Sequence, residues 1–175
     1  MKTKLLAVLA LSAAVILGST VGGAGARTSS VTKLQADLVL RPGVPKAGHP
    51  QVLENLYGGL DATWNSARST LAYSLAWRGL RGTAFRVEIR SWSTGRTYAV
   101  LCAPCNPVTD RSAVPVSRIH GFLRLDSDIG YLIAHGRTFV EVDTTAYPAG
   151  EIGGPIYQPP TFGPGHGYGE TPRCC

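Results

Sequence analysis

The chain lacks the short motifs by which several common enzyme families are recognised. It has no G-x-S-x-G nucleophile elbow, no glycine-rich phosphate-binding loop and no H-E-x-x-H helix, and in each of these motifs the spacing places the reacting group. The 21 glycines are spread through turns and the C-terminal segment instead. We therefore expect none of the chemistries that depend on these motifs, and no cofactor.

A long apolar run is also missing. The apolar segment at residues 5–17 is shorter than the about 20 residues that a helix needs to cross a bilayer. Two lysines precede it and the tripeptide A-G-A at residues 24–26 closes it, which is the pattern of a secretory signal peptide. No cysteine that could carry a lipid lies near the cut. The sequence predicts a signal peptide over residues 1–26, cleavage after Ala26, and a secreted or cell-envelope protein without a membrane span once the signal is removed.

Concentrated positive charge is the third absence. The formal net charge is +6, two of the lysines leave with the signal peptide, and Glu88 interrupts the densest basic stretch at residues 78–96. A nucleic-acid surface normally combines a dense basic patch with a recognisable module. We therefore expect no nucleic-acid partner, whereas an anionic polymer of the cell surface is a weak candidate partner.

Short segments that alternate apolar and polar residues make up most of the remaining chain. They lie at residues 33–40, 60–64, 71–77, 85–90, 98–102, 119–125, 138–144 and 151–157. Turn residues separate them at regular spacing, which is typical of an antiparallel β-sandwich or barrel. The chain that follows the signal is long enough for one domain with a hydrophobic core. The pattern predicts a single all-β domain over residues 33–157.

One short helix and a tail complete the predicted organisation. Asp126 or Ser127 is a candidate N-terminal cap, and Gly136 is a candidate end of this helix. Residues 158–175 are rich in proline and glycine and almost without apolar side chains, so they bury too little surface to offset the entropy of ordering. We expect a tail there that ends in two adjacent cysteines.

The four cysteines are Cys102, Cys105, Cys174 and Cys175. An even number in an oxidising compartment predicts disulfides, and three pairings are possible. A bridge between the adjacent pair would be strained, so we prefer Cys174 and Cys175 each bonded to Cys102 or Cys105. The alternatives are a redox-active C-A-P-C dithiol, which would normally sit at a helix N-terminus, and a zinc site of four thiolates, with which oxidation would compete.

The histidines are few and scattered. His49, His120, His135 and His166 show no metal-ligand spacing. His49 and His166 lie in glycine- and proline-rich loops, where we expect exposed or hydrogen-bonded histidines. His120 lies inside a predicted strand and is the strongest candidate of the four.

Two carboxylates share one predicted strand. Glu141 and Asp143 are two residues apart, so their side chains point to the same side of the strand. Such a pair could hold a cation or perform acid/base chemistry, while its more ordinary interpretation is the solvent-facing side of a strand. His120, Glu141 and Asp143 are the candidate metal-site residues.

The last predicted hairpin resembles a known motif. Residues 136–144 read G-R-T-F-V-E-V-D-T and residues 147–154 read Y-P-A-G-E-I-G-G, which resembles the G-R-x-Y-V-N-V-H-T and P-x-G-E-I-R-G ending of the CHRD domain, first described in chordin. Residues 71–80 resemble its L-x-Y-x-L-x-x-x-G-L strand, and residues 119–121 resemble a later strand. The resemblance covers most of residues 57–157. It implies an extracellular β-sandwich, immunoglobulin-like or superoxide-dismutase-like, with no well-established enzymatic activity.

Departures from the family pattern fall on its polar positions. Arg86 and Glu88 stand where family members commonly carry an H-x-H pair, Asp143 replaces the histidine of the closing motif, and Gly153 replaces its arginine. We therefore expect a metal or polar site built from those histidines to be lost.

These observations lead to three hypotheses of function. The first is an exported, non-enzymatic binding or structural module of the CHRD type with an extracellular or envelope partner of unknown identity. The second is a secreted metal-dependent or thiol-redox enzyme that uses His120, Glu141 and Asp143, or the dithiol at residues 102–105. The third is an envelope protein cross-linked to a partner through its tail cysteines.

Overall fold

A computed structural model describes residues 30–49, 55–112 and 115–160 of the chain. The predicted signal peptide, its cleavage site, His166 and the tail cysteines lie outside these ranges. The described residues form nine strands and one helix, in the order β1 (Val31–Leu40), β2 (Gly58–Asn65), β3 (Thr70–Arg78), β4 (Ala84–Ser91), β5 (Thr97–Cys102), β6 (Val108–Thr109), β7 (Val116–Arg124), α1 (Ser127–Ala134), β8 (Thr138–Thr144) and β9 (Ile152–Pro155).

The nine strands form one sheet in the order β5-β4-β8-β9-β1-β2-β3-β7-β6. Residues 31–38 of β1 pair with β2, whereas Val39 and Leu40 pair with β9, so β1 joins the two halves of the sheet. The sheet curls into a half-barrel, and the Tyr73 hydroxyl of β3 donates a 2.8 Å hydrogen bond to the Leu101 carbonyl of β5 across it. The predicted antiparallel all-β class with one short helix is confirmed, with the two layers formed by one continuous sheet.

The apolar core lies between the two halves because the strands alternate as predicted. In β1, Leu34, Ala36 and Leu38 point inward and are buried, while Gln35 and Asp37 are exposed. Burial of each large aliphatic side chain stabilises the fold by about 1.5–3 kcal/mol. Strand β8 departs from this alternation, because all seven of its residues are buried. Both of its faces are therefore covered.

Helix α1 packs on the core through Ile133 and Ala134, but without the expected cap. Asp126 occupies the N-cap position without a side-chain hydrogen bond to the helix, so neither it nor Ser127 makes the predicted cap. Gly136 follows the helix with φ of 67°, a left-handed conformation that glycine adopts at helix ends. Within the helix, Gly130 is buried directly against the Trp64 ring.

We expect Gly130→Ala to lower the free energy of unfolding by about 1–3 kcal/mol, the usual cost of overpacking a core. A Cβ at this position would overlap the indole of Trp64, which outweighs the about 1 kcal/mol by which alanine favours a helix over glycine. Gly59→Ala is the control, since its added Cβ would lie 3.6 Å from its nearest neighbour, the Ala36 carbonyl oxygen. Equal urea midpoints for the two variants would contradict the expectation.

Candidate functional site

Glu141 and Asp143 point to the same side of β8, but that side does not face solvent. Their side chains are 0% and 1% exposed, so the interpretation of a solvent-facing strand is wrong. Arg86, Glu88 and Arg90 lie at alternate positions of the neighbouring β4, opposite β8. A buried carboxylate costs several kcal/mol unless it is paired. The basic partners on β4 are therefore what permits this burial.

The carboxylate of Glu141 is held between two arginines. Arg90 Nη1 lies 2.5 Å from Oε1 and Arg41 Nη1 lies 2.8 Å from Oε2. The Arg41 guanidinium also lies 4.9 Å from the centre of the Phe139 ring, in cation–π geometry. Gly150, at φ of 99°, packs directly against the Glu141 carboxylate. A Cβ on Gly150 would stand 2.6 Å from Glu141 Cδ. A side chain at this turn position would displace the carboxylate.

Asp143 is paired on one oxygen only. Arg86 Nε donates to Asp143 Oδ2 at 2.8 Å and lies 3.3 Å from Glu88 Oε1, while the Thr97 hydroxyl donates to the other Glu88 oxygen at 2.9 Å. Asp143 Oδ1 is buried and has no hydrogen-bond partner within the described residues. Burial raises the pKa of Asp143, and the Arg86 hydrogen bond offsets part of that rise. The same hydrogen bond raises the pKa of Arg86.

A further buried carboxylate, Glu151, which the sequence analysis missed, anchors the loop that carries His49. Glu151 accepts hydrogen bonds from the Arg81 backbone N–H at 2.6 Å and from the Thr144 hydroxyl at 2.5 Å. His49 Nδ1 lies 3.1 Å from the Gly79 carbonyl oxygen and 3.6 Å from Glu151. Its ring is buried beside two tyrosine rings. The expectation of a hydrogen-bonded histidine is confirmed, but an exposed one is wrong, because the loop folds onto the β8–β9 turn.

His120 does not join the carboxylates. It is exposed on β7, and β9, β1, β2 and β3 lie between that strand and β8 in the sheet. His135 lies after the helix, with Nδ1 2.8 Å from the Tyr131 carbonyl oxygen. Over the described ranges, no three histidine, cysteine or carboxylate residues are grouped so that they could hold a metal ion. The structure therefore separates His120 from Glu141 and Asp143.

The cysteine pairing that the sequence favoured is wrong. Cys102 and Cys105 form a disulfide with each other, their Cα atoms 4.9 Å apart, so neither is available to Cys174 or Cys175. The pairing is local because the chain turns back directly after β5, and closing a short loop costs less entropy than closing a long one. The Cys105 N–H donates to the Phe85 carbonyl at 3.1 Å, which attaches this turn to β4.

A concave surface lies on the other half of the sheet. It is a shallow groove of about 520 Å³ on the outer face of β1, β2, β3 and β7. One row of side chains crosses it, because the strand register places them opposite one another: Gln35, Asp61, Ser74 and His120. Phe122 stands beside the row with 76% of its surface exposed. This face combines polar groups and an exposed aromatic ring, and it is open to solvent.

Comparison with known proteins leaves the family open. No protein-family model, no curated protein and no solved structure matches the chain. The CHRD resemblance therefore rests on its motif residues alone. No helix within the described ranges is long and apolar enough to cross a membrane.

Replacing Glu141 by glutamine should lower the free energy of unfolding by about 2–4 kcal/mol, because it leaves two guanidinium groups without their shared anion. Asp61→Asn is the matched control, since Asp61 is exposed and accepts one hydrogen bond from Gln35. Such a surface change should cost no more than about 0.5 kcal/mol. Urea denaturation measures both variants, and an E141Q midpoint equal to that of D61N would refute the structural role of the ion pairs.

The raised pKa of Asp143 gives a pH dependence of definite sign. From about pH 4, the ordinary aspartate range, up to its raised pKa, folded Asp143 keeps a proton that the unfolded chain releases. The raised pKa therefore adds its whole stabilisation to the fold below that window, and this stabilisation is lost as pH rises through the window. Denaturation of the wild type and D143N across this range should show the wild type losing stability relative to the variant. A constant difference, or one of opposite slope, would disprove the assignment.

Proposed function

We propose that the protein is an exported, non-enzymatic domain of the CHRD type that acts as a binding or structural module outside the cytoplasm. The observation that carries this proposal is the state of Glu141 and Asp143. Both candidate acid/base residues are buried and engaged by arginines of other strands or loops. They serve the fold as structural anions.

Catalysis by Glu141 would need a different arrangement. A general base must present a free lone pair within hydrogen-bond reach of its substrate. Both oxygens of Glu141 face guanidinium groups, and Gly150 lies directly over the carboxylate. A substrate would have to displace the Arg41 pair and move the β8–β9 turn. The geometry therefore favours an ionic layer that stabilises the sheet.

The family assignment is supported by the same region. Arg86, Glu88 and Asp143 occupy the three positions at which the resemblance implies histidines, and these side chains contact one another. Here an arginine between two carboxylates stands in place of the histidine cluster. The domain thus keeps a polar contact at this point of the fold without its histidines.

The binding role belongs to the outer face of β1, β2, β3 and β7. Its groove is open, and its His120 and Phe122 side chains are exposed. Exposed aromatic side chains among polar groups are enriched at interaction surfaces. The Phe122 ring is 76% exposed.

The test is to express the full chain in a secreting host and to characterise the exported product. We expect an N-terminus at Arg27, found by mass spectrometry, and no turnover in assays for superoxide dismutation and for disulfide exchange. Retention of the product in the cytoplasm would refute export. Disulfide exchange that a C102S/C105S variant loses, or metal-dependent turnover that an H120A variant loses, would replace the proposal by an enzyme of the corresponding kind.

A further inference from the structure

Strand β7 is an edge strand over most of its length. The short β6 pairs only with Ser117 and Arg118, and the Asp110 N–H donates to the Val116 carbonyl at 3.1 Å. Beyond Arg118, β7 continues to Arg124 with β3 on one side. Within the described residues, no strand covers its other side.

The backbone groups on this open side can be assigned. In an antiparallel ladder the groups of alternate residues point to opposite edges. Because the Val116 carbonyl points toward β6, the N–H and C=O groups of His120, Phe122 and Arg124 point to the same edge. No hydrogen bond to any of these groups is present in the described part of the chain. Three residues in succession thus present unpaired donors and acceptors, which is the template for adding a strand.

The permanently charged side chains of β7 are arginines. Arg118, His120, Phe122 and Arg124 are all exposed on the outer face, and β7 contains no carboxylate. Cross-strand neighbours of opposite charge stabilise a pair of strands, and like charges directly opposite destabilise it. A second copy of the open edge at residues 119–124 would bring two arginines, one Arg124 from each copy, to one seam without an acid in either strand. The charge pattern therefore favours an acidic partner over self-association.

We propose that the β7 edge at residues 119–124 binds an extended, acidic segment of a partner protein, which adds to the sheet in line with β6. The inference rests on the proposed binding role and names the partner class for it. Backbone hydrogen bonds to His120, Phe122 and Arg124 provide the pairing, as in other cases of strand addition. An acidic side chain opposite Arg124 provides the selectivity, since Arg118 already faces Val108 of β6.

The test measures binding of a fluorescent synthetic peptide, in which glutamate alternates with valine, to the mature protein by anisotropy. When the glutamates lie on the outer face, their own N–H groups point at β7. N-methylation of the glutamate residues should therefore weaken binding by about ten-fold or more, while N-methylation of the valines should not. A lysine–valine peptide should not bind, and added salt should weaken the glutamate peptide.

Two variants of the protein, both at Phe122 of β7, test the same backbone contact without a change in the peptide. Phe122→Pro removes an N–H that points outward, which an edge strand tolerates, and Phe122→Ala removes the ring but keeps that N–H. We expect the proline variant to bind at least about ten-fold more weakly than the alanine variant. Cooperative urea unfolding of both variants verifies that they are folded. Arg124→Glu should also weaken binding of the glutamate peptide.

The outcomes separate this inference from the proposed function. Equal affinity for the two N-methylated peptides, or tight binding of the lysine peptide, would overturn strand addition by an acidic segment. A dimer in sedimentation velocity that the glutamate peptide does not dissociate would assign the edge to a second copy and would also overturn it. Neither result bears on turnover or export, which decide the proposed function.

Discussion

The burial of the Glu141 charge is the constraint on which the β4–β8–β9 half of the sheet depends. One carboxylate with no exposed surface needs Arg90 from β4 and Arg41 from the end of β1. It also needs a neighbour without a side chain, which Gly150 supplies. The ion pairs thus connect β8, its neighbour β4 and the end of the strand that joins the two halves, and they do so on the face turned away from the apolar core. Removing one charge from such an arrangement costs more than the pair itself contributes.

Alternation of apolar residues was sufficient to predict the fold class and the main strands. The alternation placed β1, β3 and β4 correctly because one side of each strand is apolar and the other is polar. Successive side chains point to opposite faces, so only the apolar side of such a strand can face the core. It failed for the polar side of β8. Alternation indicates that Glu141 and Asp143 share a side, but it does not indicate what covers that side. Their partners are distant in sequence, and arginines are common on solvent-facing strands, so nothing local distinguished the two cases.

The burial of His49 and the disulfide pairing escaped the sequence for a related reason. A loop rich in glycine and proline left open whether His49 is exposed or hydrogen-bonded, and the structure holds the loop on the β8–β9 turn beside Glu151. For the cysteines, avoidance of a strained bridge between adjacent residues favoured long-range pairing, whereas the turn after β5 brings Cys102 and Cys105 together. In both cases the outcome depended on the path of a loop. The alternation of apolar and polar residues carries little information on the paths of loops.

The position of β1 in the sheet also determines when the domain can fold. Its end pairs with β9, so Val39 and Leu40 must meet Gly153 and Ile152, more than a hundred residues later in the chain. Contacts of such large sequence separation are slow to form and require nearly the whole chain. A chain that is synthesised from its N-terminus therefore cannot complete this sheet until its last strand has emerged. Until then, β1 and β8 both lack β9, the strand that lies between them, and the two halves of the sheet stay unjoined.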